Sequence, residues 1–209
     1  MRNNSSSDDE RAARRIAGVA AIAAGLAWVC WAIVNGTTSG GLEASETVIG
    51  LRLAKFGQLL SISWNLLLIP AALVLWKRFH HKNPNLILLY TVSGILSLAF
   101  WTVGGAARIN APMLEVSYLI LSGVWWTGIG RALSRDHKIF GTFTVIVGSF
   151  ALLDAALSFF EPMPDYIYAL AAPKLPLGII WDFWLGCFLL RFPDSKIFPD
   201  GIETSSIKY

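Results

Sequence analysis

Apolar residues run in six long stretches, at about 16–34, 58–76, 86–109, 112–133, 140–160 and 175–191, separated by polar joints. A helix rises about 1.5 Å per residue, and a hydrocarbon core about 30 Å thick needs roughly 20 such residues. The pattern therefore predicts an all-α fold: a polytopic transmembrane helical bundle of six spans. It divides the chain into an N-terminal tail over 1–15, the bundle over 16–191 and a C-terminal tail over 192–209. Residues 1–7 are polar and read as disordered, while Ser7 and Glu10 have capping-box spacing and predict a helix starting ahead of the membrane. The second span contains Pro70, which should kink it, and is expected to start early, near Thr47, bringing Arg52 and Lys55 onto the helix. Asn110 and Pro112 turn the third span into the fourth and predict an antiparallel pair. A short helix over Asp165–Ala172 is expected to lie across the mouth of the bundle.

Composition agrees with a membrane chain. The 209 residues are 55% hydrophobic and 15% charged, against about 25% charged in soluble domains. The net charge of +3 is too small to point to nucleic acid, so the expected surroundings are the lipid bilayer. Charge placement gives the orientation. Thirteen of the seventeen Lys and Arg residues fall in the tails and in the joints at 77–85 and 131–139. Arg52, Lys55, Arg108 and Lys174 are left on the other side, and the positive-inside rule then puts both termini in the cytoplasm. Cys30 and Cys187 fall at different depths, which argues against a disulfide. The first apolar run is too long for a secretory signal peptide.

The polar residues within the spans are not scattered. Arg52, Lys55, Gln58 and Asn65 recur at helical spacing in the second; Tyr90, Ser93, Ser97, Trp101 and Arg108 mark the third. Glu115, Tyr118, Ser122 and Trp125 follow in the fourth, Asp154, Ser158 and Glu161 in the fifth. The sixth, LPLGIIWDFWLGCFLLR, carries Asp182 between Trp181 and Trp184, with Gly178 and Gly186 one turn to either side. A carboxylate in hydrocarbon costs about 2.5 kcal/mol or more, so Asp182 should face protein. The two glycines should admit a neighbouring helix or a ligand. By the topology above, Arg52, Lys55, Arg108, Glu115, Asp154 and Asp182 share the outer half.

That coincidence predicts a polar pocket open to the outer side. Asp154 and Asp182 are the candidate catalytic or proton-relay acids. Arg52, Lys55 and Arg108 would hold an anionic group; Asn65, Trp101, Glu115, Tyr118, Trp181 and Trp184 would line the wall. The competing explanation is ion pairing that sets helix register, Arg108 with Glu115 and Asp182 with Lys55 or Arg52. The tryptophans at 28, 31, 76, 125 and 126 read as anchors or packing residues. His80 and His81 point apart on a helix and lack further ligands. The sequence contains no phosphate-binding glycine loop, zinc-ligand spacing, haem motif or nucleophile elbow, so no cofactor or metal is expected.

From RIAGVAAIAAG through LLLIPAALVLW to IIWDFWLGCFLLR, the layout resembles uncharacterised bacterial six-helix integral membrane proteins grouped as a domain of unknown function. The resemblance implies a multi-pass fold and a bacterial cytoplasmic membrane, and transfers no catalytic residue. The tryptophan-rich bundle with two acids also looks like integral-membrane terpene cyclases, which typically have an additional span and whose signature residues are not matched. Three functions remain open. The first is binding or transport of a small amphiphilic or lipid-like ligand. The second is a lipid or isoprenoid enzyme using an aspartate as general acid. The third is a structural or regulatory partner of another membrane protein, or a homo-oligomer, docking through a small-residue face such as Ala17–Ala24.

Overall fold

The computed structural model describes residues 4–38, 48–107, 112–159, 170 and 172–191, and the side chains of 8–34, 55–103, 113–159, 170 and 172–191. The helices are α1 (Asn4–Thr38), α2 (Val48–Phe79), α3 (Pro84–Ala107), α4 (Pro112–Ser134), α5 (Lys138–Ser158) and α6 (Lys174–Arg191). Four segments, Asp8–Val34, Lys55–Phe79, Pro84–Val103 and Lys138–Ser158, are long and apolar enough to cross a membrane.

One helix boundary differs from the sequence expectation and another agrees with it. Helix α1 starts at Asn4, so residues 4–7 are helical and Ser7 lies inside the helix instead of capping it. Helix α2 starts at Val48, as the early start near Thr47 anticipated, and runs on through Pro70. Arg108, Glu161 and most of the expected Asp165–Ala172 helix lie outside the described residues, as does the side chain of Arg52.

Each helix packs against its neighbours in sequence, and α6 returns to α1, so the six close into a ring. Every pair is antiparallel. Trp28 of α1 meets Trp64 of α2, and Trp101 of α3 reaches Ser61 of α2. Across α3 and α4, Trp101 meets Tyr118 near one end, while Tyr90 covers Gly128 toward the other. The bundle's first and last helical residues, Asn4 and Arg191, therefore share one end, here the terminal end. Lys174 and the start of α2 mark the opposite end.

Glycine sets the closest contacts. Along α4 and α5, Gly123 faces Gly148 and Gly130 faces Gly141, two matched pairs seven residues apart. A Cβ on Gly148 would sit 2.7 Å from the Thr127 amide nitrogen, and one on Gly141 would sit 2.7 Å from the Gly130 carbonyl. Only a missing side chain allows backbones this near, and dispersion between them replaces the hydrophobic drive that lipid does not supply. Gly18 and Gly186 do the same for α1 against α6. Ala17, Ala21 and Ala24 are fully buried, so this small-residue face is spent inside the bundle and is not an exposed docking face.

At the terminal end the joints are tied together. Asn83 caps α3 by accepting from the Leu86 amide at 3.3 Å, and Pro84 takes the first helical position, where its missing N–H costs nothing. Lys82 donates to both carboxylate oxygens of Asp136 at 2.9 Å, linking the α2–α3 and α4–α5 joints.

Candidate functional site

The centre of the ring is built from tryptophan. Trp28 and Trp64 lie with ring centroids 4.2 Å apart, and Trp181 meets Trp125 and Trp126 edge-on at 5.7 and 5.6 Å. Gly94 and Gly178 make room for this crowding, taking Trp125 and Trp28 respectively against bare backbone.

Asp182 sits within this centre, 0% exposed. The indole Nε1 of Trp64 donates to its Oδ2 at 2.9 Å. The neighbouring Trp181 turns the other way and donates to Thr144 Oγ1 of α5 at 3.0 Å. Helix α6 thus reaches α2 with one residue and α5 with the next, as a 100° step per residue requires. Gly25 of α1 closes the remaining side, where a Cβ would come 3.3 Å from that of Asp182.

Several polar atoms in the interior meet no partner among the described residues: Asp182 Oδ1, Asn65 Oδ1, Thr127 Oγ1 and the indole nitrogens of Trp125 and Trp126 are buried without a hydrogen bond there. Each such atom costs about 1–3 kcal/mol, and folded chains carry few of them. Asn65 spends its amide on the Ser61 carbonyl at 2.7 Å, leaving its oxygen over. Other buried hydroxyls are quiet: Ser93, Ser97 and Ser122 return to carbonyls of their own helices.

The candidate residues read from the sequence divide into three groups. Trp181, Asp182, Asn65 and Tyr118 are interior, and Trp101 is half-buried, donating to Ser61 Oγ at 2.6 Å. Asp154 stands apart. It pairs with Lys174 at the opposite end of the bundle, both half-buried. Lys174 and Asp182 are eight residues apart on α6, about 12 Å along the axis, so the two acids occupy different depths. Asp182 lies at the midpoint of its helix and not in one half of it. Lys55 and Glu115 are exposed. The pairing of Asp182 with Lys55 does not form, since Trp64 takes one oxygen and the other meets no donor among the described residues.

Trp184 also departs from expectation. It is 36% exposed and stacks on Phe140 and Phe143 of α5 at 5.3 and 5.2 Å, so it flanks the α5–α6 contact from outside. Trp64 and Thr144, which fix Asp182 and Trp181, are not among the polar positions that the sequence pattern singles out. Trp64 was signalled only by standing next to Asn65 in an apolar run; nothing distinguished Thr144. Cys30 and Cys187 are free and exposed. Among the described residues no three metal-ligating side chains come together. No protein-family model, curated protein or solved structure matches the chain.

Proposed function

We propose that the chain crosses a bacterial cytoplasmic membrane six times, with both termini in the cytoplasm, and binds or transports a small amphiphilic ligand at the centre of the ring. The six-span reading is supported by the way α6 follows α1 along its length, from Gly18 against Leu190 to Trp28 against Gly178. Antiparallel packing of α6 on an apolar span over most of its length supports the two crossing together. Orientation rests on the distribution of Lys and Arg. The layout resemblance to bacterial six-helix membrane proteins fits the same location.

The ligand reading is carried by one observation: Asp182 is fully buried, and its Oδ1 meets no donor among the described residues while Trp64 occupies Oδ2. A hydrogen-bond donor on a ligand would satisfy that oxygen. The indole nitrogens of Trp125 and Trp126 would offer donors to an acceptor on the same molecule, and tryptophan faces would take its apolar body. On this reading the polar end of the ligand meets Asp182 at mid-depth, while the Asp154–Lys174 pair lies nearer the opposite end of the bundle and outside the site. The enzyme reading uses the same residue, a buried carboxyl as general acid in a dry interior.

Native mass spectrometry of wild type and Asp182→Asn, purified in mild detergent, tests the proposal. A small molecule retained by wild type and lost from an equally folded variant supports it. A wild type that carries nothing but detergent and the lipids shared equally by the variant overturns it.

A further inference from the structure

The acid at the centre of the ring has no counter-charge beside it. Among the described buried residues, no Lys, Arg or His accompanies Asp182. Lys174 lies about 12 Å away along α6 and is paired with Asp154. Lys55 is exposed and lies nine residues before Trp64 on α2, about 14 Å along the axis, with the backbone of Arg52 farther still. The indole of Trp64 lends Oδ2 a hydrogen bond but no charge. Tyr118 of α4 is also buried and ionisable, and as a phenol it brings no positive charge.

Two demands therefore meet on one side chain. A carboxylate buried at membrane depth needs its charge cancelled, and Oδ1 needs a hydrogen-bond partner. A proton cancels the charge but turns Oδ1 into a donor, which then needs an acceptor of its own. A neutral alcohol satisfies Oδ1 and leaves the charge. An ammonium group does both at once, through a charge-assisted bond about twice as strong as a neutral one. The surroundings suit such a group. Trp28 packs on Gly178, one turn before Asp182 on the same face of α6, and its ring lies 4.2 Å from that of Trp64. Electron-rich indoles stabilise a nearby desolvated cation by about 0.5–2 kcal/mol. A metal ion would ask for several further oxygens, and among the described residues no three metal-ligating side chains come together. Resting on the reading of the Asp182 centre as a ligand site, we infer that its ligand is a lipophilic amine. It is held as the ammonium, with one N–H on Asp182 Oδ1 and its apolar body among the tryptophans.

The test is a native mass spectrometry titration of the full chain, in a non-ionic detergent, with dodecylamine and dodecanol. The two probes share an alkyl chain and differ in the charge of the head. A charge-assisted bond in place of a neutral one predicts a preference for the amine of about tenfold or more. The preference should fall close to equality in Asp182→Asn, which keeps an acceptor for Trp64. It should persist in Glu115→Gln, which removes an acid from an exposed position of α4. If Asp182→Asn does not fold, the wild-type ratio alone decides. A wild type that binds dodecanol as tightly as the amine overturns the assignment. Loss of that dodecanol in Asp182→Asn would leave the ligand site standing with a neutral occupant. An equal loss of amine in both variants also overturns the assignment, marking attraction to surface acids. Binding of neither probe overturns it too, and the site reading beneath it falls only if wild type also retains no molecule from the cell.

Discussion

Trp64 and Asp182 are 118 residues apart in the chain and 2.9 Å apart in the ring, the indole N–H resting on a carboxylate oxygen with both side chains buried. The contact joins α2 to α6 across the centre. It also leaves Asp182 half satisfied. Replacing Trp64 by Phe keeps most of the ring and removes the only described donor to Asp182. Trp64→Phe should therefore destabilise the bundle by about 1–3 kcal/mol, measured by reversible denaturation in mixed micelles. Asp182→Asn keeps an acceptor for the indole and should cost under about 1 kcal/mol. That contrast makes Asp182→Asn suitable for ligand tests.

The glycine pairs of α4 and α5 should tolerate no side chain. A Cβ on Gly148 meets the backbone of Thr127 and Gly123, and neither can rotate away. Gly148→Ala should cost about 1–3 kcal/mol by forcing the helices apart. Gly25→Ala meets the Phe183 ring at 3.1 Å and the Asp182 Cβ at 3.3 Å, a milder crowding that side chains can absorb, and should cost less. The same denaturation assay ranks the two.

The Asp154–Lys174 pair is half-buried, whereas Lys82–Asp136 is more open. A double-mutant cycle with Asp154→Asn and Lys174→Met should give a coupling of about 1 kcal/mol or more, and the cycle at Lys82 and Asp136 should give less. Raising salt should erode the second coupling first.

Membrane sidedness is open to direct chemistry. In a Cys30→Ser, Cys187→Ser background, Ser6→Cys and Ser205→Cys should resist a membrane-impermeant maleimide in intact cells. Ser39→Cys, in the joint between α1 and α2, should react. The opposite pattern would reverse the orientation.

The helices themselves were legible because an apolar run long enough to span a bilayer leaves few alternatives to a helix. Asn110 and Pro112 in the sequence predicted the antiparallel pairing that Trp101 with Tyr118 and Tyr90 with Gly128 display, and Gly178 and Gly186 marked where α1 comes close. What the chain did not reveal was which faces converge. Asp154 and Asp182 looked like a pair because both are acids in late spans, yet Lys174, at the start of α6, takes one and Trp64, in α2, takes the other. Trp181 and Trp184 looked equivalent around Asp182, but three residues of helix turn one to Thr144 inside and the other to the rim of α5. Long-range pairing of this kind depends on the order of helices in the ring, which hydropathy does not encode. The helical start at Asn4 was hidden because a polar tail carries no apolar period to signal it.

The central claim is that Asp182 holds the polar end of a ligand. The most direct measurement is a high-resolution density map of the protein extracted with its native lipids and without added ligand. Non-protein density within hydrogen-bond distance of Asp182 Oδ1, extending along the tryptophans of α4, is the predicted result. A centre filled by side chains alone, with Asp182 Oδ1 satisfied by a residue of the chain, would contradict it.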